Sequence, residues 1–208
     1  QGTFLLHLGM SGRVSLYNPL PPPSTHDHID IHFNNGWTLR YTDPRRFGSL
    51  SWTEEPPELH PLISELGPEP FSSSFTASYL YQQAQRRKIP VKLFIMNNHI
   101  VVGIGNIYAN ETLFYAGLFP LLPAENLTKS QCQRIVTAAK KVLQKGIDAG
   151  GTTLNDFKNP HGADGLFSQE LAVYGREQLP CKRCHTLLLK IVVNKRTTVY
   201  CPHCQPAS

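Results

Sequence analysis

The chain has 208 residues, of which 40% are hydrophobic and 17% are charged, and its formal net charge is +5. This hydrophobic content is enough to bury a core, which excludes a disordered tail, and no apolar run approaches the ~20 residues of a membrane-spanning helix. The net charge is −4 over residues 1–85, +4 over 86–175 and +5 over 176–208. A basic C-terminal part fits a polyanionic partner such as nucleic acid, although a solvated basic surface has the same charge.

The first quarter of the chain has the alternating hydrophobicity and the turn residues of β-strands. Asn34-Asn35-Gly36 predicts a hairpin turn between two of them. The pattern indicates part of an antiparallel sheet or sandwich, and prolines between residues 54 and 70 predict a linker at a domain boundary. Strands are predicted at residues 3–8, 13–17, 28–33, 37–41 and 49–52.

From Thr76 the hydrophobic period becomes helical. The glycine turn that ends at Gly105 is not a dinucleotide-binding turn, because Tyr108 stands where a third glycine is needed. A helix that begins near Asn106 suits one phosphate at its N-terminus, and an unliganded helix end is the alternative. Helices are predicted at residues 76–86, 90–96, 105–116, 128–149 and 153–157.

The C-terminal part contains two CxxC pairs separated by 16 residues, with predicted strands at 187–193 and 197–200 between them. Such a hairpin brings four thiolates to one point, which predicts a structural zinc site without an open position. Two disulfides or redox pairs are the alternatives, but no secretory or thioredoxin-like context supports them. The four ligands are Cys181, Cys184, Cys201 and Cys204. The fifth cysteine, Cys132, lies in a predicted helix and is interpreted as a core or surface residue.

Two glycine-bounded loops carry side chains that suit insertion into a DNA duplex. Arg45 and Phe47 follow Asp43-Pro44 in the first, where a guanidinium can bind base edges and a ring can enter a base stack. An Asp43 salt bridge beside a buried Phe47 is the alternative. Met10 lies in the second loop, between Gly9 and Gly12, and either projects or packs under its turn.

Several histidines and basic residues suit phosphate contacts, and exposed, solvated side chains are the alternative. His26, His28 and His32 lack a further spaced metal ligand, so a phosphate contact is favoured for His26 and ordinary packing for the other two. Basic residues also occur at 86–88, at Lys92 and at the predicted hairpin tip, 194–197.

Seven segments spread from His7 to Cys204 resemble the formamidopyrimidine-DNA glycosylases, bacterial base-excision enzymes that remove oxidised purines such as 8-oxoguanine. The pairing of HLGMSG with DPRRFG favours this branch over the related endonuclease VIII branch. The segments are HLGMSG, YTDPRRFG, LGPEP, VVGIGNIYANE, AGGTTLNDF, QELAVYGR and the CxxC pairs with RTTVYC.

The resemblance implies an α+β fold with three domains. These are the remainder of an N-terminal β-sandwich at residues 1–67, a helix-two-turn-helix domain at 68–175 and a four-cysteine zinc β-hairpin at 176–208. Residues 159–167 would form a mobile loop over the extruded base, with Gly162 and Gly165 as hinges.

The resemblance also implies site residues. Met10, Arg45 and Phe47 would fill the gap left by the flipped nucleotide, with Arg45 facing the orphaned cytosine. Arg196 would take part in the last elimination step. The phosphates would be bound by His26, Arg87, Lys92, Asn106 and Arg196.

The family nucleophile is an N-terminal proline, aided by glutamates and a lysine, whereas this chain begins Gln1-Gly2-Thr3. The expectation is therefore the DNA-reading part of a bifunctional glycosylase and AP lyase that is itself inactive. A noncatalytic zinc-containing DNA-binding module is the alternative. The resemblance further implies one Zn²⁺, lesion-containing duplex DNA as partner, no membrane association, a monomer when intact, and a cytoplasmic, nucleoid-associated location.

Overall fold

A computed structural model describes residues 2–151 and 171–207. Packing divides these residues into two compact units, which are described separately. The first unit comprises residues 2–64 with 146–151, and the second comprises 65–145 with 171–207. The C-terminal hairpin and the longer helices, apart from the last turn of the final one, therefore belong to the second unit.

The first unit is built from two antiparallel sheets. One sheet has two strands and the other has three in the order β2-β4-β3, with β4 in the centre. The alternating sequence of β3 places its two isoleucines on the less exposed face. The strands are β1 (Thr3–His7), β2 (Arg13–Tyr17), β3 (Asp27–His32), β4 (Thr38–Thr42) and β5 (Ser49–Thr53).

The predicted hairpin turn joins β3 to β4. Gly36 has a φ of +83°, a left-handed conformation that glycine adopts at low cost, and the Phe33 N–H donates to Trp37 O across the turn at 2.9 Å. In the sheet that follows, the Arg40 guanidinium is buried and forms two 2.8 Å hydrogen bonds with the Asp30 carboxylate. The sequence interpretation did not single out this pair.

The second unit contains the longer helices around an apolar core that includes Phe75, Leu80, Phe94, Leu113 and Ile135. The helices of the described chain are α1 (Pro61–Ser64), α2 (Ala77–Ala84), α3 (Val91–Ile95), α4 (Asn106–Ala116) and α5 (Lys129–Asp148). Of these, α1 belongs to the first unit, as does the last turn of α5. Short 3₁₀ helices lie at Pro57–Leu59 and Ala124–Asn126.

Local capping explains where these helices begin and end. The Thr76 hydroxyl accepts from Tyr79 N–H at 3.1 Å before α2. Before α5, Thr128 and Gln131 form a reciprocal capping box, with each side chain accepting from the backbone N–H of the other. Helix α4 ends at Gly117, which is left-handed with a φ of +65°.

A two-stranded hairpin completes the second unit, with β6 (Leu189–Val193) paired to β7 (Arg196–Tyr200). Asn194 and Lys195 form its turn with φ values of +47° and +60°, as a two-residue hairpin turn requires. Strand β7 packs against α4, where Val199 and Phe114 share a second apolar cluster with Leu188.

The fold class predicted from the sequence is confirmed: helices and antiparallel sheets occur with a four-cysteine cluster at the C-terminal hairpin. The described predicted strands and helices end within two residues of the observed ones, because cap residues such as Thr76 and Thr128 lie just outside the helices. The predicted helix at 153–157 lies outside the described residues. Within the described residues, every helix is too short or too polar to cross a membrane.

Candidate nucleic-acid interface

In the first unit, two loops present three side chains to solvent. We call residues 9–12 the Met10 turn and residues 43–48 the Arg45 loop. Met10 is 70% exposed and Phe47 is 57% exposed, although both are large and apolar. The Arg45 guanidinium carbon lies 4.9 Å from the centre of the Phe47 ring. The predicted gap-filling residues therefore project, and the alternatives of a buried Phe47 and a packed Met10 do not occur.

The backbone explains why these loops project. The Gly9 backbone adopts a φ of +65°, and a side chain there would come within 2.7 Å of the Phe47 carbonyl carbon and the Gly48 nitrogen. The two loops therefore pack backbone against backbone, and the bulky side chains at Met10 and Phe47 point outward. Such exposed apolar side chains on a braced backbone are typical of residues that contact a partner.

His26 lies directly before β3 and its side chain is exposed. The other two histidines of this region have local partners: His28 Nε2 lies 2.9 Å from Asp43 O, and His32 Nδ1 lies 2.9 Å from Thr38 Oγ1. Across the part of the chain that the structure describes, the four hairpin cysteines are the only His, Cys, Asp or Glu group placed to hold a metal.

In the second unit, Lys92 and Asn106 meet next to the turn of the hairpin, at the start of β7. Both side chains donate to the carbonyl oxygen of Thr197, from Lys92 Nζ at 2.9 Å and from Asn106 Nδ2 at 3.2 Å. Lys92 Nζ also donates to Thr198 Oγ1 at 2.7 Å. Arg196 precedes Thr197 and is exposed, so the two hydrogen bonds to Thr197 O fix the backbone beside an exposed guanidinium.

The predicted basic residues thus differ in exposure. Lys92 is fully buried and its ammonium has two acceptors in the hairpin, whereas Arg196 is exposed at the first position of β7. Arg87 follows α2, is exposed, and donates from Nε to Gln83 O at 2.7 Å. A direct phosphate contact by each of the three stays a prediction, and burial favours an indirect role for Lys92.

The four hairpin cysteines form a site that fits zinc. Their sulfur atoms all lie within 4.8 Å of one another, and a tetrahedral Zn²⁺ with Zn–S bonds of about 2.3 Å separates its sulfurs by about 3.8 Å. The Arg183 N–H donates to Cys181 Sγ and the Cys204 N–H to Cys201 Sγ, each at 3.4 Å, which stabilises thiolates. Four thiolates complete the coordination, so the zinc is structural. Cys132 is buried in the helical core, away from this site.

Three domain families match the chain in sequence order. Residues 1–50 match the formamidopyrimidine-DNA glycosylase N-terminal domain, residues 66–158 match its H2TH domain, and residues 178–207 match the zinc finger found in FPG and IleRS. Among curated proteins, the formamidopyrimidine-DNA glycosylase of Hydrogenovibrio crunogenus is 50% identical over 205 residues, which cover 99% of this chain and 73% of that protein. The chain belongs to the formamidopyrimidine-DNA glycosylases.

Further relatives support this assignment. The Xylella fastidiosa formamidopyrimidine-DNA glycosylase is 50% identical over 98% of this chain and 75% of its own length. Among solved structures, MutM (Fpg) of Thermus thermophilus has a TM-score of 0.86 at 36% identity and covers 99% of this chain and 76% of its own. The Lactococcus lactis Fpg in complex with DNA containing an abasic site has a TM-score of 0.86 at 30% identity, covering 98% and 74%.

In this formamidopyrimidine-DNA glycosylase, a buried carboxylate that the sequence interpretation missed joins α4 to residues 172–174. Glu111 lies in the middle of α4 and is buried, and its carboxylate accepts three backbone N–H groups at 2.8–2.9 Å, from Ala172, Val173 and Tyr174. The Tyr174 hydroxyl in turn accepts from Asn106 Nδ2 at 3.4 Å. The available signal was the pair Asn110-Glu111 within a mostly apolar helix, since buried polar groups require partners.

Asn110, the residue before Glu111 in α4, also bonds the backbone of another segment. Its Oδ1 accepts from Val199 N–H at 2.7 Å and its Nδ2 donates to Asn106 O at 2.7 Å, which joins the hairpin to the start of the helix. The segment 159–167, with the predicted hinges Gly162 and Gly165, lies outside the described residues.

Burial of Lys92 gives a testable pH dependence. Burial, and to a lesser extent repulsion from Arg196, lowers the pKa of Lys92 to about 8 from 10.5. The unfolded chain therefore binds this proton more tightly, so the free energy of unfolding should rise as pH increases from about 8 to 10.5. Lys92→Met should remove that rise. The measurement is the unfolding free energy of native and variant at pH 7.5 and again at pH 9.5, and the difference between the two proteins should change between these pH values.

Lys88→Met is the matched control, because it removes an exposed lysine and keeps Lys92, so the rise in unfolding free energy that Lys92 causes should remain. If the difference in unfolding free energy between native and Lys92→Met is the same at pH 7.5 and 9.5, burial does not lower the pKa of Lys92.

Proposed function

We propose that this chain reads oxidised purines such as 8-oxoguanine and formamidopyrimidine in duplex DNA, as the lesion-reading part of a base-excision glycosylase and AP lyase. The observation that carries the proposal is the projecting group of Met10, Arg45 and Phe47 on two braced loops. Solved relatives include complexes with DNA that contains Fapy-dG or an abasic site, which supports the same substrate class here.

The chemistry of the projecting group suits a flipped nucleotide. Extruding a base leaves a gap in the stack, and apolar side chains such as Met10 and Phe47 can occupy it at less cost than water. The guanidinium of Arg45 only donates hydrogen bonds, so it suits the acceptor atoms of an unpaired cytosine. The ring of Phe47 beneath the guanidinium limits the directions in which Arg45 can point.

Phosphate contacts would come from both units. His26 is the candidate in the first unit, and Arg87, Asn106 and Arg196 are the candidates in the second. The N–H groups of the first turn of α4 have no acceptor within the helix and suit a phosphate, and Asn106 lies at that start. Lys92 would act through the Thr197 carbonyl by holding β7 in place, and Arg196 would take part in the final elimination step.

The domain organisation and location complete the proposal. We assign the β-sandwich part to residues 1–67, the helix-two-turn-helix part to 68–175 and the zinc hairpin to 176–208, ranges that agree in order with the three matching families. The bacterial origin of the relatives and a DNA substrate favour action at the nucleoid in the cytoplasm.

The lesion-reading role can be tested directly because the chain has only two methionines. With ¹³C-methyl methionine, we expect the Met10 signal to shift when the chain binds a duplex with an abasic-site analogue opposite cytosine, because base rings then surround it. Met96 is packed against the helical core and should not shift. An unmoved Met10 signal at saturating DNA would contradict the proposal.

Affinity and chemistry are separated by a second measurement. The chain should bind a duplex with 8-oxoguanine opposite cytosine at least about tenfold more tightly than an undamaged duplex. Borohydride trapping on the same duplex then tests for a Schiff base: an adduct shows that the chain itself performs the lyase step. Lesion-specific binding without an adduct supports the noncatalytic DNA-binding module, and equal affinity for both duplexes contradicts lesion reading.

A further inference from the structure

Asp43 has an unusual number of partners for a residue in a surface loop. Its side chain is fully buried, and its carboxylate accepts four hydrogen bonds. Oδ1 accepts from Ser11 Oγ at 2.6 Å and from Arg45 N–H at 3.3 Å. Oδ2 accepts from Gly48 N–H at 2.9 Å and from the Tyr41 hydroxyl at 3.0 Å. The bond from Ser11, together with those from Gly48 and Tyr41, holds the pKa of Asp43 well below its usual range, despite burial.

These partners come from both projecting loops. Arg45 and Gly48 lie within the Arg45 loop, whereas Ser11 follows Met10 in the Met10 turn. The Ser11 hydroxyl donates to Asp43 and also accepts from Arg45 N–H at 3.2 Å, so it contacts the Arg45 loop twice. The Asp43 backbone N–H additionally donates to His26 O at 2.9 Å. Asp43 thus contacts the segments that carry Met10, Arg45 and Phe47 through its carboxylate, and the segment that carries His26 through its backbone N–H.

No basic side chain forms an ion pair with Asp43 in the described structure, so the carboxylate orders the backbone through hydrogen bonds. Hydrogen bonds to an ionised acceptor are stronger and shorter than neutral ones. Four of them at one carboxylate are suited to restricting two loops whose outer side chains make few contacts of their own.

We propose that Asp43 and Ser11 are positioning residues that join the Met10 turn and the Arg45 loop into one preordered wedge, and thereby determine discrimination of the base opposite the lesion. Preordering lowers the entropic cost of inserting three side chains together. The link to discrimination rests on the proposed function, whereas the coupling of the two loops does not.

The coupling is tested without DNA in the 208-residue chain. Ser11→Ala should increase the amide hydrogen-exchange rates of Arg45 and Gly48 by about tenfold, because the change in the Met10 turn removes a bond from their acceptor. Ser11→Thr keeps the hydroxyl and should restore the native exchange rates. Asp30→Asn is the matched control, since Asp30 is bonded to Arg40 in the three-stranded sheet and not to either loop.

Discrimination is tested with duplexes that carry an abasic-site analogue opposite cytosine or adenine. Asp43→Asn replaces a carboxylate oxygen, which accepts from N–H or O–H groups, with an amide N–H₂ that cannot accept. The dissociation constant for the adenine duplex divided by that for the cytosine duplex should therefore fall about tenfold. Ser11→Ala should lower the ratio in the same direction and Ser11→Thr should restore it. Because both residues act through one network, the double variant Ser11→Ala, Asp43→Asn should be no worse than Asp43→Asn alone.

Three results would overturn the inference: native exchange at Arg45 and Gly48 in Ser11→Ala, an unchanged ratio in Asp43→Asn with faster loop exchange, or an equal loss of ratio in Asp30→Asn. Arg45→Ala identifies a failure of the proposed function instead. If that variant keeps the native ratio, Arg45 does not read the opposite base, while the exchange measurements still decide whether the two loops are coupled.

Discussion

Cys201→Ser is expected to release the zinc and to unfold the C-terminal hairpin. The four sulfurs lie within 4.8 Å of one another, and few apolar residues, among them Leu188 and Val199, form the core beneath them. Zinc binding to such a site supplies on the order of 10 kcal/mol, which is also the folding free energy of a small metal domain. Metal content should fall from one zinc per chain to near zero, and proteolysis should begin within residues 178–207.

The loss should extend to DNA binding because Arg196 lies on β7 of the same hairpin. Cys132→Ala is the matched control: Cys132 is buried in the helical core, and its replacement should leave one zinc per chain and nearly native DNA affinity. A Cys201→Ser protein that retains a full equivalent of zinc would contradict the four-cysteine assignment.

Glu111→Ala is expected to cause the second large effect, a loss of about 3 kcal/mol or more in the free energy of unfolding. Removal of the carboxylate leaves the buried N–H groups of Ala172, Val173 and Tyr174 without an acceptor, and each such group costs about 1–3 kcal/mol. Denaturant unfolding measures the total, and hydrogen exchange at the same three amides locates it.

Glu177→Ala is the surface control in the same unit. Glu177 forms an exposed ion pair with Lys190 at 3.1 Å, and pairs of this kind contribute about 1 kcal/mol or less. If Glu111→Ala destabilises the chain no more than Glu177→Ala does, the three hydrogen bonds do not stabilise the second unit as the structure indicates.

The zinc hairpin shows what local sequence can predict. Each CxxC pair places two thiolates close together, and the spacing to the next pair suits one hairpin, so ligands and strands follow from short-range geometry. The same holds for the helix ends at Thr76, Thr128 and Gly117, where a cap or a left-handed glycine acts within four residues. The roles of Met10, Arg45 and Phe47 came from family resemblance. Local sequence left projection and burial open for Phe47, and for Met10 packing under the turn was the commoner arrangement.

Asp43 shows where that reasoning ends. The alternative interpretation of its loop was an Asp43 salt bridge, whereas the shortest hydrogen bond to Asp43 comes from Ser11, 32 residues earlier. Lys92 and Glu111 repeat the lesson: Lys92 donates to a strand more than 100 residues later, and Glu111 accepts from residues 61–63 positions away. No periodicity or spacing predicts partners at such separations.

The sequence by itself determined the family, the α+β class and the four zinc ligands, because each is recorded in contiguous motifs. Tertiary structure alone decided which charged side chains are buried and bonded to other groups of the protein. Arg40, Lys92, Asp43 and Glu111 are buried, and burial forces each to find hydrogen-bond partners within the protein. The C-terminal part of the sequence is basic, but its positive charges can contact DNA only where the fold leaves them exposed, as at Arg196.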